Sequence, residues 1–138
     1  MGLKGRLIKD CVTGLNFNAV HYTPVNGELL LHGHTFSVSA CVEGPSGPLW
    51  VVDFIELRKF TEGLIKNLNY SFLVPRQDVT KIAFNAPFTV KLKDFDCTLV
   101  TAECVATHIC SELKKSYASQ RIIVAVEEGV GNKATVEC

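Results

Sequence analysis

The chain has 138 residues, 47% of them hydrophobic and 20% charged, with 14 Lys and Arg balanced by 14 Asp and Glu. That is enough for one domain, residues 1–138, with a full-sized core. The neutral balance removes the electrostatic case for nucleic acid or an anionic membrane as a partner, and no apolar run approaches the ~20 residues of a membrane span.

The opening Met1-Gly2-Leu3-Lys4-Gly5-Arg6 carries neither the apolar centre of a signal peptide nor the Ser/Thr of a myristoylation site. The spacing then predicts a strand over residues 5–13 and extended chain over 17–21. A long strand over 29–42 follows, closed by the turn cluster Glu43-Gly44-Pro45-Ser46-Gly47-Pro48. Asp53, with Glu56 three residues on, opens a helix over 53–67 whose apolar stripe is Phe54, Leu57, Leu64, Ile65 and Leu68. Capping accounts for Asp53, which needs no catalytic role. Residues 74–78 read as a loop and 88–92 as a weak strand. Thr101 caps a second helix with Ala102, Val105, Ala106, Ile109 and Leu113 inward and His108 on its surface. Residues 121–127 form the last strong strand, ending in Glu127 and Glu128 before a glycine-rich turn. The order implies an α+β domain, antiparallel hairpins with two helices on one face, whose open edges invite oligomerisation.

The cysteines, Cys11, Cys41, Cys97, Cys104, Cys110 and Cys138, form no Cys-x-x-Cys pair. Their irregular spacing in a chain that is not small or loop-rich reads as buried free thiols in a reducing cytoplasm, not as a disulfide framework.

The stretch with most chemistry is His21 to His34, which holds three of the four histidines. Asn26-Gly27 is a strong two-residue hairpin signal. If Val25 faces Glu28, His21 faces His32, with His34 a diagonal step away on the same face. Three imidazoles with an open fourth position are the pattern of catalytic zinc. Pro24 interrupts the ladder, so the loop is expected to be looser than this ideal.

Five motifs in order resemble those of the 6-pyruvoyl-tetrahydropterin synthase family, which includes 6-carboxy-tetrahydropterin synthase. They are Phe17-Asn18-Ala19-Val20-His21, Leu31-His32-Gly33-His34-Thr35-Phe36-Ser37-Val38, Val51-Val52-Asp53-Phe54-Ile55-Glu56-Leu57, Thr101-Ala102-Glu103 and Val124-Ala125-Val126-Glu127-Glu128. The resemblance implies a tunnelling fold (T-fold), in which sheets of a trimer close into a barrel, trimers stack into hexamers, and sites lie between subunits. It implies zinc on His21, His32 and His34. It also implies a pterin held by Glu128, whose carboxylate can accept two parallel hydrogen bonds from the ring N–H and 2-amino group, with Thr101 and Glu103 at the substrate.

Two departures bear on the reaction. The family's usual base is a cysteine four residues before the first His of His-Gly-His; here Glu28 stands there. Its Asp-His dyad is replaced by Asn69-Tyr70, an amide that does not ionise and a phenol that is a poor base at neutral pH. A branch of the family with Glu in the Cys position is associated with retro-aldol cleavage of a neopterin side chain. The sequence is therefore read as a zinc-dependent lyase of a dihydroneopterin-type pterin, by retro-aldol cleavage toward 6-hydroxymethyl-dihydropterin or by family-type side-chain elimination, with Glu28 as candidate base. The alternatives are a 6-pyruvoyl- or 6-carboxy-tetrahydropterin synthase proper, and a zinc- and pterin-binding paralogue without catalysis.

Overall fold

The two segments expected over residues 5–13 and 17–21 belong to one strand. In the computed structural model, which describes residues 2–138, β1 runs Leu7–Val25 and pairs antiparallel with β2, Glu28–Pro45. Met1, where the stretch read for targeting signals begins, lies outside the described residues. The register shifts between Val12 and Leu15, where Gly14 takes φ +75°. This β-bulge, with glycine supplying the left-handed conformation, changes which residues face inward. Val12 is buried before it, and Leu15, Phe17, Ala19 and His21 after it. A one-residue slip flips every side chain of a strand, so the bulge decides that His21 meets the core.

The hairpin closes more tightly than expected. Asn26 and Gly27 both have positive φ, 50° and 85°, the two-residue type I′ turn whose twist matches that of the strands. Pairing continues through Pro24↔Leu29 to Val25↔Glu28. With Val25 and Glu28 as the hydrogen-bonded pair closing the turn, Pro24 falls at a non-hydrogen-bonded position, where its missing N–H costs the ladder nothing.

Helix α1, Phe54–Lys66, starts where Asp53 Oδ1 accepts the Ile55 N–H at 2.8 Å. Glu56 does not complete the capping box; its carboxylate accepts the Tyr117 hydroxyl at 3.2 Å instead. The stretch read as a loop begins in a strand, β3, Ser71–Pro75, followed by a 3₁₀ turn at Arg76–Lys81. The weak strand lies later than expected: β4 is Leu92–Phe95. Then come α2, Ala102–Ser116, and β5, Arg121–Glu128. The last strand, β6, Asn132–Glu137, escaped notice because only Ala134 and Val136 alternate in it. Among the described residues the sheet order is β4-β3-β1-β2-β5-β6, antiparallel except that β3 runs parallel to both β1 and β4.

The core fills the space between one sheet face and the two helices. Leu57 and Ile65 of α1 and Val105, Ile109 and Leu113 of α2 join Phe17, Phe36, Val38, Val124 and Val126 in one buried cluster. Each fully buried aliphatic side chain there contributes roughly 1.5–3 kcal/mol relative to exposure.

The thiol expectation is overturned. Disulfides join Cys11 to Cys41, Cys97 to Cys104 and Cys110 to Cys138, and no described cysteine is free. Linear spacing hid these pairs because topology makes them. Cys11 and Cys41 are register partners with Cα atoms 4.0 Å apart, the close approach of a non-hydrogen-bonded pair. Cys97 and Cys104 span the entry to α2, and Cys110 ties α2 to the end of the chain. No described helix is long and apolar enough to cross a membrane.

Candidate active site

The β1–β2 ladder places His21 opposite His32, and His34 opposite Ala19. All three imidazoles therefore stand on the core face. Their ring centroids are 4.6–5.1 Å apart, edge to face, and their ligand atoms lie within 4.8 Å of one another. His21 is fully buried; His32 and His34 are half-buried. Phe36 packs beneath, 5.5 Å from the rings of His21 and His34.

Two backbone carbonyls orient the rings. His21 Nδ1 is 2.6 Å from the Val100 carbonyl and His32 Nδ1 is 2.9 Å from that of Leu30. A carbonyl only accepts, so each Nδ1 carries a proton, and in the neutral ring the lone pair is then on Nε2. Val100, missed in the sequence, comes from the connection into α2; a backbone acceptor leaves no signature in residue type. Burial holds the His21 pKa below its ordinary value, outweighing the Val100 carbonyl and the Glu128 carboxylate, which act the other way. The ring is therefore kept neutral, as ligation requires.

His21 Nε2 and His34 Nε2 are buried without a hydrogen-bond partner. Buried polar atoms left unpaired are costly and rare in native proteins. Here both point into the space the three rings share, and a divalent cation of the zinc type would satisfy them. Glu128, opposite Phe36 in the β2–β5 ladder, brings its carboxylate to 3.9 Å from His21 Nε2 and 3.7 Å from His34 Nε2. The donor set fits zinc: three imidazoles that converge on one point with a fourth position open.

Glu128 also lines a cavity of about 480 Å³ with Thr23, Thr101, Glu103, Asn132 and Lys133. The structure thus brings Glu128, Thr101 and Glu103 together beside the histidines. Thr101 caps α2, accepting the Cys104 N–H at 3.3 Å. Thr23, Asn132 and Lys133 were missed, because one lies on β1 beyond the motif that ends at His21 and two lie on the unpredicted β6. Glu127 points to the other sheet face, beside Ser37 and Ser39, which separates the roles of the two adjacent acids.

The remaining candidates lie apart. Glu28 is exposed at the hairpin end, on the face of His32 and His34 but four residues, about 13 Å, along the strand from His32. Asn69 and Tyr70 follow α1 at the β3 edge. The Asn69 side chain accepts the Asn18 backbone N–H at 2.8 Å, and Tyr70 has φ +55° and donates its N–H to the Asn18 carbonyl at 2.7 Å. The Tyr70 side chain is 79% exposed. Their bonds to Asn18 shape the turn, and Tyr70 lines a cavity of about 420 Å³ together with His34, on the side of the histidines away from Glu128. His108 is exposed on α2 with its ring edge against Phe95 at 5.2 Å, as the sequence led one to expect.

The family model described as 6-pyruvoyl tetrahydropterin synthase matches residues 11–138. A curated relative, dihydroneopterin monophosphate aldolase of Pyrococcus furiosus, is 34% identical over 89 residues, covering 56% of this chain and 78% of the relative. A Plasmodium vivax 6-pyruvoyltetrahydropterin synthase, described as a catalytic-residue mutant with Glu replaced by Ala, superposes with a TM-score of 0.78 at 22% identity. It covers 96% of this chain and 98% of its own. The Caenorhabditis elegans 6-pyruvoyl tetrahydropterin synthase does so with a TM-score of 0.69 at 17% identity, covering 98% of each chain. At such identities the two structures speak for the fold.

Proposed function

The chain belongs to the 6-pyruvoyl tetrahydropterin synthase family, and from that membership we propose that it is a zinc-dependent lyase. Its substrate is a dihydroneopterin-type pterin, and it cleaves the side chain in the retro-aldol sense to leave 6-hydroxymethyl-dihydropterin. The fold is the α+β T-fold of that family, taken as one domain over residues 1–138. The observation that carries the reading is the His21–His32–His34 cluster, with its two unpartnered Nε2 atoms, opening past Glu128 into a cavity large enough for a bicyclic ring. The named activity of the Pyrococcus furiosus relative points the same way.

Zinc held by His21, His32 and His34 would supply Lewis acidity, lowering the pKa of a side-chain hydroxyl of the substrate. Glu128 accepts the ring N–H and 2-amino group and so orients the pterin, with Thr101 and Glu103 closing the same cavity. Glu28 is the proposed base. It takes the proton of the hydroxyl on the second side-chain carbon, and the bond between the first and second carbons breaks. The aldehyde leaves, and the electron pair on the first carbon is protonated to give the hydroxymethyl group. The disulfides favour this reading over 6-pyruvoyl or 6-carboxy formation, since that chemistry is expected to use a cysteine base and every described cysteine is bridged. The Plasmodium vivax protein, described as a 6-pyruvoyltetrahydropterin synthase with a catalytic glutamate, supports a glutamate in the role proposed for Glu28 and does not bear on the choice of product.

The apolar hairpin end, where Val25, Leu29, Leu30 and Leu31 are exposed, is proposed to pack in a trimer or hexamer with sites shared between copies. Residence in the cytoplasm was inferred from free thiols and loses that support.

A second reading, zinc and pterin binding without turnover, is favoured by one observation: Glu28 stands about 13 Å along its strand from His32. To decide, the zinc-loaded protein is incubated with dihydroneopterin, its monophosphate and its triphosphate, and the products are separated. The lyase reading predicts 6-hydroxymethyl-dihydropterin and an aldehyde in equal amounts. Bound pterin with no product supports the second reading, and a 6-pyruvoyl or 6-carboxy product overturns both.

A further inference from the structure

The connection from β4 into α2 gives the site three groups within four residues: the Val100 carbonyl on His21, the Thr101 hydroxyl and the Glu103 carboxylate in the cavity. Residues 96–100 belong to no strand or helix, so no ladder fixes where the Val100 carbonyl points. The segment is closed by a bond that starts before these groups and ends after them, the Cys97–Cys104 disulfide. Cys104 is buried in the first turn of α2, its N–H on the Thr101 cap, and Cys97 packs against the same core.

We propose that the Cys97–Cys104 disulfide is a positioning element of the metal centre. It holds the Val100 carbonyl against His21 Nδ1–H and thereby aims His21 Nε2 at the point shared with His32 and His34. The zinc part of this inference rests on the proposed function; the hydrogen bond does not. Without the bridge, residues 97–101 keep the core packing of Val100 and residue 97, the bond from the Thr101 N–H to the Leu99 carbonyl and the α2 cap, but no covalent tie, and the carbonyl gains freedom to leave the ring. His21 can then rotate or change tautomer, and the three nitrogens no longer converge. The Cys11–Cys41 disulfide provides an internal comparison. It joins β1 to β2 before the bulge, ten residues from His21, with no part in this connection.

The experiment compares Cys97→Ser with Cys104→Ser against Cys11→Ser with Cys41→Ser, each in the full chain. One readout is the His21 Nδ1–H proton resonance in the metal-free protein. The other is zinc affinity, by competition with a chromophoric chelator. The first double variant is expected to lose the resonance to solvent exchange and to bind zinc roughly 10–100-fold more weakly, the scale of losing a partner that orients a metal-binding histidine. The second is expected to keep both within about twofold. A resonance that persists without the Cys97–Cys104 bridge overturns the inference, as does an equal loss of zinc affinity in both variants. If the serine pair fails to fold, Cys97→Ala with Cys104→Val keeps the buried position apolar and must give the same two losses. A wild-type protein that takes up no zinc overturns the proposed function, while the resonance still decides the role of the bridge.

Discussion

His21 and Val100, 79 residues apart in the chain, are joined by a 2.6 Å hydrogen bond from the imidazole Nδ1–H to the backbone carbonyl. The bond commits the ring's other nitrogen, buried and unpartnered, to the space facing His34 and Glu128. Metal uptake should therefore reach one zinc per chain. His34→Ala removes a ligand outright and should lower affinity beyond the ~10–100-fold typical of an outer partner. Equilibrium dialysis with metal analysis checks both, and a His34→Ala protein that binds as tightly as wild type would exclude the three-histidine site.

Glu128 touches the histidine pocket and lines the cavity, so its two proposed dealings separate by mutation. Hydrogen bonds to a charged partner are worth about 1.5–3 kcal/mol each. Glu128→Ala should therefore weaken pterin binding at least ~10-fold and leave one zinc per chain in place. Pterin fluorescence titration of the zinc form measures the first and metal content the second. Loss of zinc with unchanged pterin binding would instead make Glu128 a metal ligand.

The clustering of the three histidines was legible in the sequence because period and turn chemistry suffice for it. Asn26-Gly27 sets a register, and that register puts His21 against His32. The bulge at Gly14 was not legible, since a glycine within an alternating run has several explanations, yet it determines which face of β1 is inward. The acids at 127 and 128 were separable only once β5 had a face. Val100 and the disulfides were hidden for one shared reason: both depend on which distant segments the topology brings together, and residue spacing does not encode that. Asn69 and Tyr70 were found by motif position, and their hydrogen bonds show them shaping a turn at Asn18.

The type I′ turn gives a stability prediction. Gly27 has φ +85° and open space where a Cβ would stand, so Gly27→Ala meets no clash and pays only for the left-handed backbone, about 1–2 kcal/mol. Chemical denaturation should show that loss in the midpoint with an unchanged slope. A neutral result would mean that the turn is not held in this conformation in solution.

Alkaline pH should loosen the helix layer in a defined window. The Tyr117 hydroxyl is pushed up to about 12 by burial and by Glu56 of α1, and Tyr22 to about 12 by burial and by Asp78. A folded pKa above the unfolded value near 10 means that the stabilisation is complete below about pH 10 and is lost as pH rises toward 12. Thermal unfolding followed by circular dichroism should therefore fall steeply across that interval. Tyr117→Phe, which cannot ionise, should flatten part of the decline. An equally steep fall in Tyr117→Phe would remove this residue from the cause.

The last prediction concerns where the base comes from. Glu28→Gln keeps size and removes the charge, and should reduce product formation by ~10²–10⁴-fold, the usual range for a general base, with zinc and pterin binding retained. The hairpin is paired up to Val25↔Glu28 and closed by a two-residue turn, so Glu28 does not fold back onto His32 of its own chain without breaking the ladder. A base that acts must therefore meet the histidines of another copy. Mixing the Glu28→Gln and His34→Ala proteins under conditions that allow subunit exchange then has a definite outcome. Each alone is inactive, but a hybrid pairs an intact Glu28 with an intact metal cluster, and activity should return toward the fraction of such sites. If the mixture stays inactive although exchange is verified by mass, the base and the metal belong to one chain and the hairpin must open during turnover.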